Sequence, residues 1–96
     1  MSILIKKLND DVFEVTVADS ITTVHEVTVT DQNLTDLTDN TVTKTQLLEF
    51  SFKFLLDKEP NTSILKSFDI SVIEQYFPEY LDNLRRWYNG SRNSIL

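Results

Sequence analysis

Apolar and polar residues alternate through much of the first thirty positions. Phe13, Val15 and Val17 alternate with Glu14 and Thr16, and His25, Val27 and Val29 alternate with Glu26 and Thr28. A period of two puts each set on its own face, as in strands with one buried side. With Ile3 and Ile5 added, the pattern predicts strands over 3–8, 12–18 and 21–30. Leu8-Asn9-Asp10-Asp11 supplies the first turn, and Asp19-Ser20 begins the second. A three-residue first loop sets Ile5 opposite Val15 and Ile3 opposite Val17, and couples Lys6 with Glu14 on the outer face. For the second pair, Val15 opposite Val27 sets Glu14 against Thr28. A shift of two residues would set Glu14 against Glu26, so the first register is expected. The product is a three-stranded antiparallel meander, apolar on one face and charged or threonine-covered on the other.

The period then changes. Residues 31–42 form a polar connection with one helical turn expected around Leu34 and Leu37. Thr43 followed by Gln46 is a capping box, and Val42 with Leu47 is the matching hydrophobic staple. The helix they open should run from Lys44 to about Lys58, because Pro60 prevents its continuation. Leu47, Leu48, Phe50, Phe52, Phe54, Leu55 and Leu56 fill most of its circumference and leave a polar stripe of Glu49, Lys53 and Asp57. A surface helix carries a narrower apolar stripe. This one needs cover on two sides, from the sheet and from the later helices or a second copy of the chain.

Glu59 to Ser63 is a turn. Phe68-Asp69 opens a short helix, with Asp69 as cap and Phe68 stapled onto Ile73. Pro78 suits the first position of a last helix, expected to end at Tyr88 with Tyr80 or Leu81, Leu84 and Tyr88 inward. Asn89-Gly90 is a C-cap signal.

Charge and aromatic content divide the chain. Residues 1–42 carry eight acids against Lys6 and Lys7, whereas residues 43–96 are neutral overall and hold nine of the ten aromatic rings. The net charge of -6 disfavours contact with phosphate backbones and anionic lipid. No cysteine is present, so disulfides and thiolate chemistry are excluded. No long apolar run is present, and the apolar run before Lys6 is too short for a signal peptide. A cytoplasmic location is expected.

The stretch from Ser51 to Tyr80 reads SFKFLLDKEPNTSILKSFDISVIEQYFPEY. It resembles a family of short bacterial proteins marked, in this order, by Ser-Phe-x-Phe-Leu-Leu, Glu-Pro-Asn-x-Ser-Ile-Leu, Phe-Asp-x-Ser-Val-Ile and Tyr-Phe-Pro-Glu-Tyr. A front hairpin like Phe13–Val17 and His25–Val29 belongs to the same pattern, so the likeness covers about residues 11–80. The resemblance implies a bacterial or bacteriophage origin and a single small domain. It transfers no catalytic residue.

Candidate chemistry is sparse. His25 is the only histidine, and the single glycine rules out a Gly-x-Ser-x-Gly nucleophile elbow and any glycine-rich phosphate cradle. A lone histidine on an apolar strand face reads first as a packing residue. Asp31, Asn33, Asp36 and Asp39 gather oxygens in one short stretch, but a calcium loop starting at Asp31 needs glycine at 36 and glutamate at 42, where Asp36 and Val42 stand. Caps and turns account for these residues. Arg85, Arg86 and Arg92 beside Trp87 and Tyr88 mix bases with rings as single-strand binders do; on an acidic chain they read instead as compensation of a helix end.

The expected fold is α+β, a three-stranded antiparallel β-meander followed by two or three helices packed on one face of the sheet (βββααα). One domain spans 1–90, with a flexible tail at 91–96. The expected function is that of a small non-enzymatic protein-interaction module, a homodimer or a binder of another protein, acting through Phe52, Tyr76, Phe77, Tyr80, Trp87 and Tyr88. The alternative is an acidic inhibitor or antitoxin-like protein that covers a basic partner surface with Asp10, Asp11, Asp19, Glu26, Asp31, Asp36 and Asp39. No catalytic residue, cofactor, metal ligand, nucleic-acid partner or membrane contact is expected.

Overall fold

The computed structural model describes residues 1–92. The expected residues 93–96 of the tail lie outside that range. Strands β1 (Ser2–Lys7), β2 (Val12–Ala18) and β3 (Thr23–Thr28) form the antiparallel meander. Helices α1 (Asp31–Thr38) and α2 (Lys44–Lys58) follow, then a 3-10 turn at Asn61–Ser63, strand β4 (Ser67–Asp69), and helices α3 (Val72–Tyr76) and α4 (Tyr80–Arg92). The class is α+β. Among the described residues, no helix is long and apolar enough to cross a membrane.

The first hairpin has the expected register, with Ile5 opposite Val15, Ile3 opposite Val17 and Lys6 opposite Glu14. Its turn closes on Asn9, whose Oδ1 accepts from the backbone N–H groups of Asp11 and Val12, both at 2.9 Å.

The second hairpin departs from expectation. Val15 pairs with His25 and Phe13 with Val27, so Glu14 does face Glu26. Both glutamates lie on the solvent side of the sheet, where water weakens their repulsion. The buried face decides instead. Asn61 Nδ2 donates to the Ile21 carbonyl at 2.7 Å and to Thr23 Oγ1 at 3.0 Å, which holds the β2–β3 turn and the start of β3 in this register.

The βββααα order is corrected by β4, which adds to β3 in parallel with Phe68 opposite Val27. The sheet is therefore mixed, with order β1-β2-β3-β4. Phe68 and Asp69 belong to this strand rather than to a helix start. Asp69 Oδ1 accepts from Ser71 N and Ser71 Oγ, and α3 begins only at Val72, without a side-chain cap. The polar connection is also more ordered than a single turn. Thr30 and Asn33 form a reciprocal capping box, and eight residues follow it as α1. Asp39 and Asn40 then take left-handed backbone conformations that end the helix.

Helix α2 runs over the expected residues with its capping box in place, at 3.1 Å from Gln46 N to Thr43 Oγ1 and 2.9 Å from Thr43 N to Gln46 Oε1. It is covered on two sides. Phe52 meets His25 and Phe68 of the sheet, while Phe54 meets Phe77 and Tyr80. Phe13, Val15, Val17, Val27 and Val29 complete one buried cluster with Leu47, Leu48, Ile70 and Leu84. Helix α4 starts two residues after Pro78 and passes through Asn89 and Gly90 as far as Arg92, so the expected C-cap is not used. Gly90 takes no left-handed conformation, and its absent Cβ has nothing near it.

Candidate functional site

The residues with chemistry in them are engaged in holding the fold. His25 sits fully buried beneath α2. Its Nδ1 lies 2.8 Å from the Leu65 carbonyl, which can only accept, so Nδ1 carries the proton. Its Nε2 lies 2.8 Å from Thr23 Oγ1, and that hydroxyl accepts from Asn61 at 3.0 Å while its own proton points to the ring. A donor chain thus runs from Asn61 through Thr23 and His25 to Leu65. Both ring nitrogens are satisfied, and no serine nucleophile or carboxylate is within this network.

The oxygen-rich stretch after β3 is likewise structural. Asn33 closes the capping box, Asp36 accepts from Gln32, and Asp39 ends α1. Lys44 draws two carboxylates together, at 2.8 Å from Asp31 and 3.5 Å from Asp11, and donates to the Asp10 backbone carbonyl at 2.6 Å. The hydrogen bond and charge of Lys44 hold the Asp31 carboxyl below its ordinary range. Burial works to lower the Lys44 ammonium, but Asp31 and Asp11 outweigh it and raise the group above its ordinary value. Two of the acids expected to meet a basic surface, Asp11 and Asp31, therefore already share a cation, and the Asp10 carboxylate lies 3.3 Å from Lys7. Among the described residues, no group of three metal-ligating side chains converges.

The six aromatic candidates separate sharply. Phe52 and Tyr80 are fully buried and Tyr88 nearly so, which removes all three as binding residues. Phe52 fills the seam between α2 and the sheet. Tyr80 is the buried anchor of α4, and its hydroxyl donates to Ser51 Oγ at 2.6 Å, which in turn donates to the Leu47 carbonyl at 2.7 Å. Burial raises the Tyr80 phenol well above its ordinary value, Ser51 opposes that rise by its hydrogen bond, and Glu74 adds to it by its charge. These rings face inward because α4 places Tyr80, Leu84 and Tyr88 on one side at four-residue spacing.

Trp87 and the pair Tyr76 and Phe77 remain at the surface, beside different grooves. Trp87 stacks on Phe50 with ring centres 4.7 Å apart. It lines a groove of about 630 Å³ between α2 and α4, with Phe50 and Phe54 as its other rings and Glu49, Lys53, Asp57 and Lys58 among its polar walls. The lining is therefore aromatic at the base and of mixed charge at the sides. Tyr76 and Phe77 line the second groove, about 220 Å³, between the segment Ile64–Phe68 and α3. Here Leu55, Ile64, Phe68, Val72 and Ile73 make an apolar wall, with Glu59 and Ser63 as its polar members. Tyr76 is 67% exposed and Leu65 is 49% exposed.

Leu65 and Val72 belong to this groove and were not singled out by the sequence. A signal for Leu65 existed. Ile64 and Leu65 are adjacent in an extended segment, so their side chains point to opposite sides. Ile64 is buried, and Leu65 is left outside. Comparison with protein-family models, with curated proteins and with solved structures gave no match.

Proposed function

We propose that this chain is a non-enzymatic protein-interaction module that receives a partner in the apolar groove between Ile64–Phe68 and α3. The observation that carries the reading is the position of Tyr76. It is the one tyrosine of the helical half left largely in solvent, and it stands beside exposed Leu65 at the mouth of an apolar groove. Exposed tyrosine beside an apolar pocket that a partner can desolvate is the composition of association hot spots. The engagement of His25 in the fold supports a binding role over a catalytic one.

The test is photocrosslinking in the source cell from a benzophenone amino acid at position 76, with the same group at Lys53 in the other groove as control. A single defined adduct from position 76, absent from position 53, is expected. With the captured partner purified, Tyr76→Ala should weaken binding by about 2 kcal/mol, the scale of a hot-spot truncation. A partner bound equally well by Tyr76→Ala and Leu65→Ser would overturn the proposal.

A further inference from the structure

The first strand has an open side. Strand β1 pairs with β2 alone and forms one edge of the sheet. Leu8 N donates to the Val12 carbonyl at 2.9 Å. Hydrogen-bonded pairs alternate along an antiparallel ladder, so Lys6, Leu4 and Ser2 turn their backbone groups to β2. Ile3, Ile5 and Lys7 turn theirs outward. The side chains of this strand are poorly covered as well: Leu4 is 68% exposed on the outer face, and Ile3 and Ile5 are only partly buried on the inner one. An open, apolar edge of this length is a template for another strand, and lysines guard it only at the Lys6–Lys7 end.

We infer that this edge is occupied by β1 of a second copy, antiparallel, about a twofold axis through Leu4. The strand is self-complementary in that register. Leu4 meets Leu4 in the closely spaced, non-hydrogen-bonded pair, and Ile3 exchanges hydrogen bonds with Ile5 of the other copy through the groups that point outward. Apolar side chains then match on both faces. At the ends of the row Lys7 of each copy comes opposite Met1 of the other, and Lys7 keeps Asp10 of its own copy as ion-pair partner. A shift of two residues would set Leu4 against Lys6 or against Ser2. The result is one continuous sheet across two copies, a closed, isologous pair. It is independent of the groove beside Tyr76 and leaves that groove open in each copy.

The test measures solution mass by light scattering from low micromolar to millimolar concentration. A mass of about twice 11.2 kDa at the upper end is expected. Leu4→Glu sets two carboxylates opposite each other and should weaken association by about tenfold or more. Leu4 is already largely in solvent, so the melting curve of the dilute variant should match the parent. Leu4→Cys gives the register: the chain has no cysteine, and a non-hydrogen-bonded pair lies within disulfide span. Mild oxidation should link two copies through position 4 faster than through Val24→Cys, which lies on the same face of the sheet two strands away. A monomer at every concentration overturns the inference. So does a dimer untouched by Leu4→Glu, or equal crosslinking at 4 and 24.

Discussion

Replacing Ser51 by alanine should destabilise this protein more than replacing Tyr80 by phenylalanine, although the two substitutions break the same hydrogen bond. The Ser51 hydroxyl donates to the Leu47 carbonyl and accepts from Tyr80. Both groups are buried. In Tyr80→Phe the serine keeps its donor satisfied and loses only an acceptor interaction, so the cost is that of one net hydrogen bond, about 0.5–1.5 kcal/mol. In Ser51→Ala the buried tyrosine hydroxyl loses its acceptor, which costs about 1–3 kcal/mol. Alanine returns a few tenths of a kcal/mol as a better helix former. The double variant removes both polar partners and should fall about 1 kcal/mol short of the sum of the single losses. Urea unfolding followed by Trp87 fluorescence and by circular dichroism measures all four corners of the cycle. For a domain of this size, each kcal/mol moves the midpoint of melting by about 4–8 °C. Ser51→Ala losses at or below those of Tyr80→Phe, or strict additivity, would refute the idea that burial of an unpaired hydroxyl sets the cost.

The same phenol governs alkaline behaviour. Its folded value is raised, so the contribution is complete below the ordinary tyrosine range near 10 and is lost as pH climbs from there towards the folded value; Tyr80→Phe should flatten the fall in stability in that window, read by urea midpoints. Asn61→Ala strips the donor from Thr23 and from the Ile21 carbonyl at once and should cost about 2–4 kcal/mol, with amide exchange in residues 19–24 accelerated together. Lys44→Met should produce a loss that shrinks in 1 M salt, and at acid pH the parent should shed the Asp31 contribution as pH falls from the ordinary carboxylate range through the depressed folded value, whereas the variant should not. Superposable acid titrations of the two proteins would show that Asp31 gains nothing from Lys44.

Local rules read well from the chain. Alternation located the strands of the meander, the first register followed from Ile3, Ile5 and Lys6, and α2 was bounded by Thr43 with Gln46 at one end and Pro60 near the other. Each of those signals lies within a few residues of the structure it specifies. The errors arose where distant segments decide. The choice between Thr28 and Glu26 opposite Glu14 looked electrostatic from the sequence, yet it is made on the other face by Asn61 and His25. Strand β4 is three residues long, too short for a period of two to show, and its partner lies far back in the chain. Helix α1 escaped because its capping box uses Asn33 where glutamate or glutamine is the usual signature. The grooves were not legible at all. Tyr76, Tyr80 and Tyr88 are the same residue type at similar spacing, and only the packing of α3 and α4 on α2 decides which of them reaches water.

The hydrogen bond from His25 to the Leu65 carbonyl joins residues 40 positions apart, and the Asn61 bond to the Ile21 carbonyl spans the same interval. Contacts of that separation form late, because closing a long loop costs entropy before any contact is gained. In chain order the meander is complete at Thr28, well before the residues that lock its register. Until residues 61–65 appear, β2 and β3 are free to sample the alternative alignment in which Glu14 avoids Glu26. The register of β3 is thus settled by residues 61–65, with β4 and the last two helices still to follow in the chain.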